Sequence, residues 1–351
     1  MRYKWIVILA TLLGHPALAE SKELAQPLRI GVLYWSMNIP GQVAMRKGLE
    51  AEAERINLAA RSQGRRGITL EAVVAGDGTA GIERQIKQML EMIESKPDAI
   101  IVQPTDNAAL VLPLKAANAA NIPVVAYDQY INGGKLTAYV TSDNRQAGYL
   151  AGEYLAAQFP GEKPLRLILV EYPLVSSTVE RLNGFLDALR DQNKPYKILK
   201  SYQAVEAVAG REAGENILRD FPMRNSIDAI FTVNDGGGLA VVDVLAKAGR
   251  DEIFVASTDG DPLSVENIRA KRLTRIDSAQ FCGPLGAAAL RAGFDAARGI
   301  PVQREILIPV FPITLETISK YPGWLGPIPE PFQKPWAAKQ PMWQSNSSVA
   351  K

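Results

Sequence analysis

The sequence predicts an α/β protein made of two doubly wound, Rossmann-like lobes with parallel sheets. Three observations predict it. Short apolar runs alternate with helical patterns along most of the chain, the signature of βαβ units whose strands are covered on both faces. The alternation runs through twice in tandem. At 351 residues, 47% of them apolar, the chain is also long enough to bury two domain cores.

The elements of the first repeat follow in order. "LRIGVLY" (28 to 34) reads as a strand, and the stretch from Val43 to Asn57 spaces Val43, Leu49, Ala53 and Ile56 as an amphipathic helix does. "ITLEAVVA" (68 to 75) is a second strand, "IERQIKQMLEMI" (82 to 93) a second helix and "PDAIIVQP" (97 to 104) a third strand. "AALVLPLKAANAANI" reads as a helix interrupted by Pro113, and "PVVAYD" (123 to 128) as a fourth strand. The second repeat has strands at 165–172, 196–202, 227–235 and 253–259, with helices over 179–192, 209–220 and 239–248.

In open parallel sheets ligands bind outside the carboxyl ends of the strands. Those ends carry Tyr34 to Asn38, Asp77, Gln103 to Asp106, Asp128 to Tyr130, Tyr172, Asn234, Asp235 and Thr258 to Asp261. Amides and carboxylates hydrogen bond to vicinal hydroxyls, and aromatic faces cover the C–H surface of a ring. A sugar or polyol in a cleft between the lobes suits that set.

The amino terminus and the composition narrow the setting. Residues 1–19, "MRYKWIVILATLLGHPALA", have a basic start, an apolar run from Trp5 to Leu13 and small residues at Ala17 and Ala19, the pattern of a secretory signal peptide cleaved before Glu20. The apolar run is short of the roughly 20 residues of a membrane span. Loss of Arg2 and Lys4 leaves 37 basic residues against 37 acidic ones, a balance with no footprint for nucleic acid or an anionic membrane. The single histidine, His15, leaves with the leader, and Cys282 is the single cysteine. No zinc set, Ser-His or Cys-His pair or disulfide is then expected, nor any cofactor. The paired acids Asp259 and Asp261 are read as turn and cap residues rather than a glycosidase pair, so the chain is read as a binding protein and not an enzyme. The location expected is the periplasm.

Several segments resemble the type I periplasmic binding proteins, in particular the ribose-binding-like branch: "MNIPGQVAMRKGLEAEAE", "DAIIVQPTDNAAL", "ANIPVVAYDQ", "TSDN" at 141 to 144, "RLNGF" at 181 to 185, "DAIFTVNDGGGLAVVDVLAKAG" and "STDGDP". The resemblance covers about Leu28 to Thr314. It implies two lobes joined by a three-strand hinge near Ser142 and Asp143, Gln280 and Phe281, and Pro309, with lobe 1 at 27–142 plus 281–309 and lobe 2 at 143–280 plus 310–336. Residues 337–351, the end of a Pro- and aromatic-rich tail, are expected to be flexible.

The resemblance places ligand contacts at Asp128, Asn234, Asp259 and Gln280, with Asn38 and Gln103 also among the polar positions. It also shows departures. Gly41 and Gln42 stand where ribose-like receptors carry two Phe residues, Gln129 where they carry an Arg, and Val179 where they carry a second Arg. Two guanidinium forks are thus expected to be missing, and D-ribose itself is not the expected ligand. Tyr34, Trp35 and Tyr172 are expected to supply aromatic surface in place of the missing rings, and Asn38 and Gln42 a polar edge, with Gln129 also among the expected ligand contacts. The partners implied are a small polar ligand and, at the membrane, the permease of an ABC importer or, alternatively, a sensor kinase or chemoreceptor, with the chain itself a monomer.

Overall fold

The computed structural model describes residues 26–344; the leader expected at 1–19 lies outside them, as do residues 345–351. The first run comprises β1 (Leu28–Tyr34), α1 (Pro40–Ser62), β2 (Ile68–Val74), α2 (Gly78–Glu94), β3 (Ala99–Val102), α3 (Val111–Ala119), β4 (Val124–Tyr127) and β5 (Ala138–Ser142). Every residue of β3 and β4 is buried, because helices cover both faces of the sheet. Pro113 falls within the first turn of α3, where amide hydrogens have no partner in the helix anyway. The helix therefore starts beside the proline and is not broken by it.

The second run comprises α4 (Asn144–Gln158), β6 (Leu165–Glu171), α5 (Ser176–Asp191), β7 (Tyr196–Gln203), α6 (Ala207–Asp220), β8 (Ala229–Thr232), α7 (Asp235–Lys247), β9 (Phe254–Asp259), α8 (Pro262–Arg269) and β10 (Thr274–Ala279). Then follow α9 (Cys282–Ala297), β11 (Glu305–Ile308), β12 (Phe311–Ile313) and a short hairpin of β13 (Phe332–Gln333) and β14 (Met342–Trp343).

Two six-stranded sheets result, in the orders β11-β5-β4-β3-β1-β2 and β12-β10-β9-β8-β6-β7. The first is parallel throughout, while β12 runs antiparallel to β10 at the edge of the second. The chain passes between lobes at Asp143, at Gln280 and Phe281, and at Pro309 and Val310. After the second passage α9 packs back on β1, β3, β4 and β5, so it belongs to the first lobe.

The tail differs from the sequence expectation. Through residue 344 it does not fray: Trp343 is 1% exposed, donates from Nε1 to the Val310 carbonyl at 2.8 Å and stacks on Phe332. Phe311 lies in β12 of the second sheet and Lys334 pairs with Glu153 of α4, on the lobe 2 side, while Phe311, Phe332 and Trp343 share a core cluster that runs across the hinge to α9 and β1. Aromatic side chains bury too much apolar area to leave in water when a hinge surface lies next to them.

Candidate functional site

The carboxyl ends of the two sheets face each other across a small, tightly lined cavity. Lobe 1 contributes Trp35, Ile39, Gly41, Gln42, Met45, Asp128 and Gln129; lobe 2 contributes Val175, Ser177, Thr178, Arg181, Val205, Asn234 and Asp259; Gln280 enters from the second passage. The lobes touch beside it. Ser177 N donates to Gln129 Oε1 at 3.2 Å, Tyr130 N to Ser176 Oγ at 2.9 Å and Ser176 N to Asn107 Oδ1 at 2.9 Å.

Asp128 sits at the end of β4 with φ 63°, a left-handed conformation that Asp tolerates better than most residues. Its Oδ2 accepts from Gln103 Nε2 at 2.9 Å. Burial raises its carboxyl above the usual range, opposed by the Arg181 charge and the Gln103 bond. Gln103 lies wholly beneath the wall, its Oε1 3.4 Å from Trp35 N. It positions Asp128 and Trp35 and does not face the cavity, a correction to its expected role as a contact.

Asn38 is a second correction. It is exposed and donates from Nδ2 to Asp77 Oδ2 at 2.6 Å, while Ile39, the next residue, lines the cavity. The turn ends in Pro40 at the start of α1, and this one-residue shift exchanges the inward face for the outward one. Gln42, by contrast, is buried and turns its Oε1 back to Ser36 N at 2.9 Å. Tyr172 lines an adjoining chamber with Trp35, Ile39, Asp77 and Glu206, not the central one.

In lobe 2 the decisive side chain is Arg181, a guanidinium distinct from the two positions held by Gln129 and Val179 and absent from the expected contacts. Val179 is 38% exposed and points away, but Arg181 is buried and enters the cavity. Its Nε donates to Asn144 Oδ1 at 2.9 Å, and its Nη1 to the Val233 carbonyl at 2.9 Å and to Asp259 Oδ1 at 2.8 Å. Close helix packing makes this possible: a Cβ on Gly148 would lie 1.8 Å from the Arg181 carbonyl, and one on Gly184 1.9 Å from the Arg145 carbonyl. With two glycines in contact, α4 and α5 approach backbone to backbone. The one cue in the sequence was an arginine within "RLNGF" on an otherwise amphipathic helix.

Asp259 is held at φ 134°, a strained backbone for any residue but glycine. Its Oδ1 also accepts from Gln280 Nε2 at 2.7 Å, and Gln280 Oε1 accepts from Ser142 Oγ at 2.8 Å, so the second passage is tied to the first. Asn234 caps α7, its Oδ1 accepting from Gly237 N at 3.1 Å and its Nδ2 donating to the Val205 carbonyl at 2.9 Å. Asp235 lies deeper, its carboxylate taking Ser257 Oγ at 2.6 Å and Asp261 N at 2.8 Å, with Asp277 against it.

Of the ten predicted contacts, Trp35, Gln42, Asp128, Gln129, Asn234, Asp259 and Gln280 converge on one cavity, while Asn38, Gln103 and Tyr172 stand beside or behind it. Val175, Ser177, Thr178 and Val205 were missed because they lie in loops and first turns with no periodic signal. Among the described residues no cluster of His, Cys, Asp and Glu is arranged to hold a metal ion, and no helix is long and apolar enough to cross a membrane.

Residues 30–301 match the periplasmic binding protein domain family. The chain is 29% identical over 282 residues to the ribose import binding protein of Bacillus subtilis (strain 168), covering 80% of this chain and 85% of that one. It is 24% identical over 321 residues to the ribose import binding protein of Escherichia coli (strain K12), covering 91% and 100%. Among solved structures, an ABC transporter periplasmic solute binding protein from Actinobacillus succinogenes 130z with bound D-allose superposes with a TM-score of 0.71 at 25% identity, covering 84% of this chain and 100% of that one.

Proposed function

Because the chain belongs to the periplasmic binding protein domain family, we propose that it captures an uncharged sugar or polyol between its lobes and presents it to the permease of an ABC importer. One observation carries the reading. The cavity is lined from both lobes by amides, carboxylates and one guanidinium around the Trp35 side chain, so a single small ligand bridges them.

The charges favour a neutral ligand. Arg181 is already matched by Asp259, with 3% and 8% of their side chains exposed, which leaves Asp128 as the acceptor for hydroxyl groups and an obstacle to anions. Trapping needs no bond to be made or broken. A ligand held by both faces stabilises the closed state by the difference between its affinities for closed and open forms. The closed form is then what a membrane partner reads. The importer role is supported by the roles of the Bacillus and Escherichia relatives, and the leader at 1–19 suits export of the mature chain to a periplasm as a monomer.

The test is a thermal-shift screen of residues 20–351 against pentoses, hexoses and polyols. A ligand that binds only the folded state at 100 times its Kd adds about 2.7 kcal/mol of stability. One sugar or polyol should raise Tm clearly, and Asp128→Asn should cut the rise to about half or less. A cooperative melt that moves with nothing in the panel would defeat the sugar reading.

A further inference from the structure

The solved allose-bound protein is matched over its whole length, yet 84% of this chain suffices to cover it, and the family match ends at residue 301. The Pro- and aromatic-rich segment that follows β12 is therefore an addition to the two-lobed core. It lies along the hinge. Tyr321 stacks on Phe311 with ring centroids 5.6 Å apart, and Phe332 and Trp343 pack on the same ring at 5.3 and 5.4 Å. Further along, Lys334 Nζ donates to Glu153 Oε2 of α4 at 2.7 Å, both side chains being 3% exposed.

Trp324 has the most telling position. Its Nε1 donates to the Asp259 carbonyl at 2.6 Å, in lobe 2, and its own carbonyl accepts from Gly283 N at 2.9 Å, in the first turn of α9 of lobe 1. Tyr321 adds a bond from its hydroxyl to the Gly260 carbonyl at 3.3 Å. Glycine is required at Gly260, where φ is 82° and a Cβ would lie 2.4 Å from Ala279 Cβ and 2.7 Å from the Tyr321 hydroxyl, and a Cβ on Gly283 would press on Leu325 at 3.1 Å. One residue outside the cleft thus joins the strained turn that carries a cavity carboxylate to the opposite lobe.

From this juxtaposition we propose that the segment is a clasp on the hinge, in which Trp324 and Tyr321 are positioning residues that hold the Asp259–Gly260 turn in its binding conformation and favour the closed arrangement of the lobes. Hinge closure is absorbed by a few residues at the passages between lobes. Both Trp324 bonds are met together when Asp259 and Gly283 keep their present separation, so the clasp contributes contacts that differ between open and closed states, which is what a shift in population requires. The proposal rests on the two-lobed binding reading for its purpose, but its test is independent of any ligand.

The experiment uses full-length mature protein without added ligand. Spin labels at Thr79→Cys, at the start of α2, and Glu212→Cys, in the middle of α6, exposed sites on opposite lobes, report the separation of the lobes; the native Cys282 is buried and does not compete. Trp324→Phe keeps an aromatic ring, smaller than the indole, and removes the N–H donor, and Tyr321→Phe keeps the ring and removes only its hydroxyl. Loss of one such hydrogen bond corresponds to a shift of about fivefold in the closed-to-open ratio. We expect longer label distances in both variants, the larger change in Trp324→Phe, with faster hydrogen exchange at the Gly260 and Asp261 amides and with the thermal midpoint within a few degrees of the parent. Label distances and exchange identical to the parent in Trp324→Phe would overturn the clasp. A lowered midpoint with unchanged distances would also overturn it, since the segment would then be a packing element alone. If the distances respond but no sugar in the thermal-shift panel binds, the clasp stands and the proposed ligand class falls.

Discussion

The two faces of the cleft are built differently. In lobe 2, Arg181 makes three hydrogen bonds, Asn234 uses both ends of its amide, and Asp259 is fixed by Arg181, Gln280 and the Asp235 amide. In lobe 1 the Gln42 amide is held by its oxygen alone, the Gln129 amide accepts from Ser177 N and lies against the Asp128 carboxyl, and among the described residues no partner takes the Gln42 nitrogen or the Trp35 indole N–H. The lesson is a division of labour. Lobe 2 is preorganised, so its groups lose little freedom on binding, while lobe 1 keeps donors that are not spent within the protein.

The comparison is broken most severely at Arg181. Arg181→Met leaves Asp259 buried without its cation, and removal of one partner of a buried pair costs roughly 3 to 5 kcal/mol. Urea unfolding should show that loss together with lost ligand binding. A variant with parental stability would mean that the lobe 2 network is not cooperative.

Asp128→Asn should act in the opposite sense on stability. It should weaken sugar binding by roughly 10- to 100-fold, as expected for a hydrogen bond to a charged group, while raising the ligand-free Tm at neutral pH, because a desolvated carboxylate is removed. Calorimetric titration and melting on one sample separate the two effects. Unchanged affinity would move recognition to lobe 2.

A pH series sharpens the picture of lobe 2. Asp277 lies beneath the Asp259 turn, accepts from Gly260 N at 2.9 Å and faces Asp235, whose carboxyl is raised by burial and then by the neighbouring Asp277 charge. Burial above all pushes Asp277 up from 3.8 to about 6. Since the folded value exceeds the unfolded one, the folded state holds a proton that the unfolded chain releases; the resulting stability is complete below about pH 4 and is lost as pH rises through 6. Asp277→Asn fixes the neutral form, so it should stabilise by about 1 to 2 kcal/mol at pH 7.5 and have little effect at pH 4. An equal gain at both pH values would show that charge is not the cause.

The smallest effect is expected at Gln42. Gln42→Ala should cost about fivefold in affinity, near 1 kcal/mol, with a modest fall in Tm because the buried Ser36 amide loses its acceptor. If discrimination between sugars is also unaltered, lobe 1 is not the selective face.

Much of the fold was legible because strands covered on both faces give continuous apolar runs: β1 and the amphipathic core of α1 are written in the residues themselves. Much of the site was legible too, since Asp128, Asn234 and Asp259 lie at strand ends, where topology puts ligands. Asn38 and Ile39 were not separable, because a turn has no periodicity to say which residue faces inward. The end of the tail was misjudged for a related reason, as Pro-rich sequence looks disordered until an aromatic-lined hinge is present to receive it.

The sequence by itself determined two parallel-sheet lobes, a cleft between them and a polar lining suited to hydroxyl groups, because those depend on local pattern and on the order of elements. Tertiary structure alone decided that Arg181 and not residue 179 reaches the cavity, that Gln103 stands behind Asp128, and that Trp324 ties one lobe to the other. Each of these depends on the closeness of backbones distant in sequence, as where Gly148 meets α5 and Gly283 meets Leu325, and no local pattern encodes such distances.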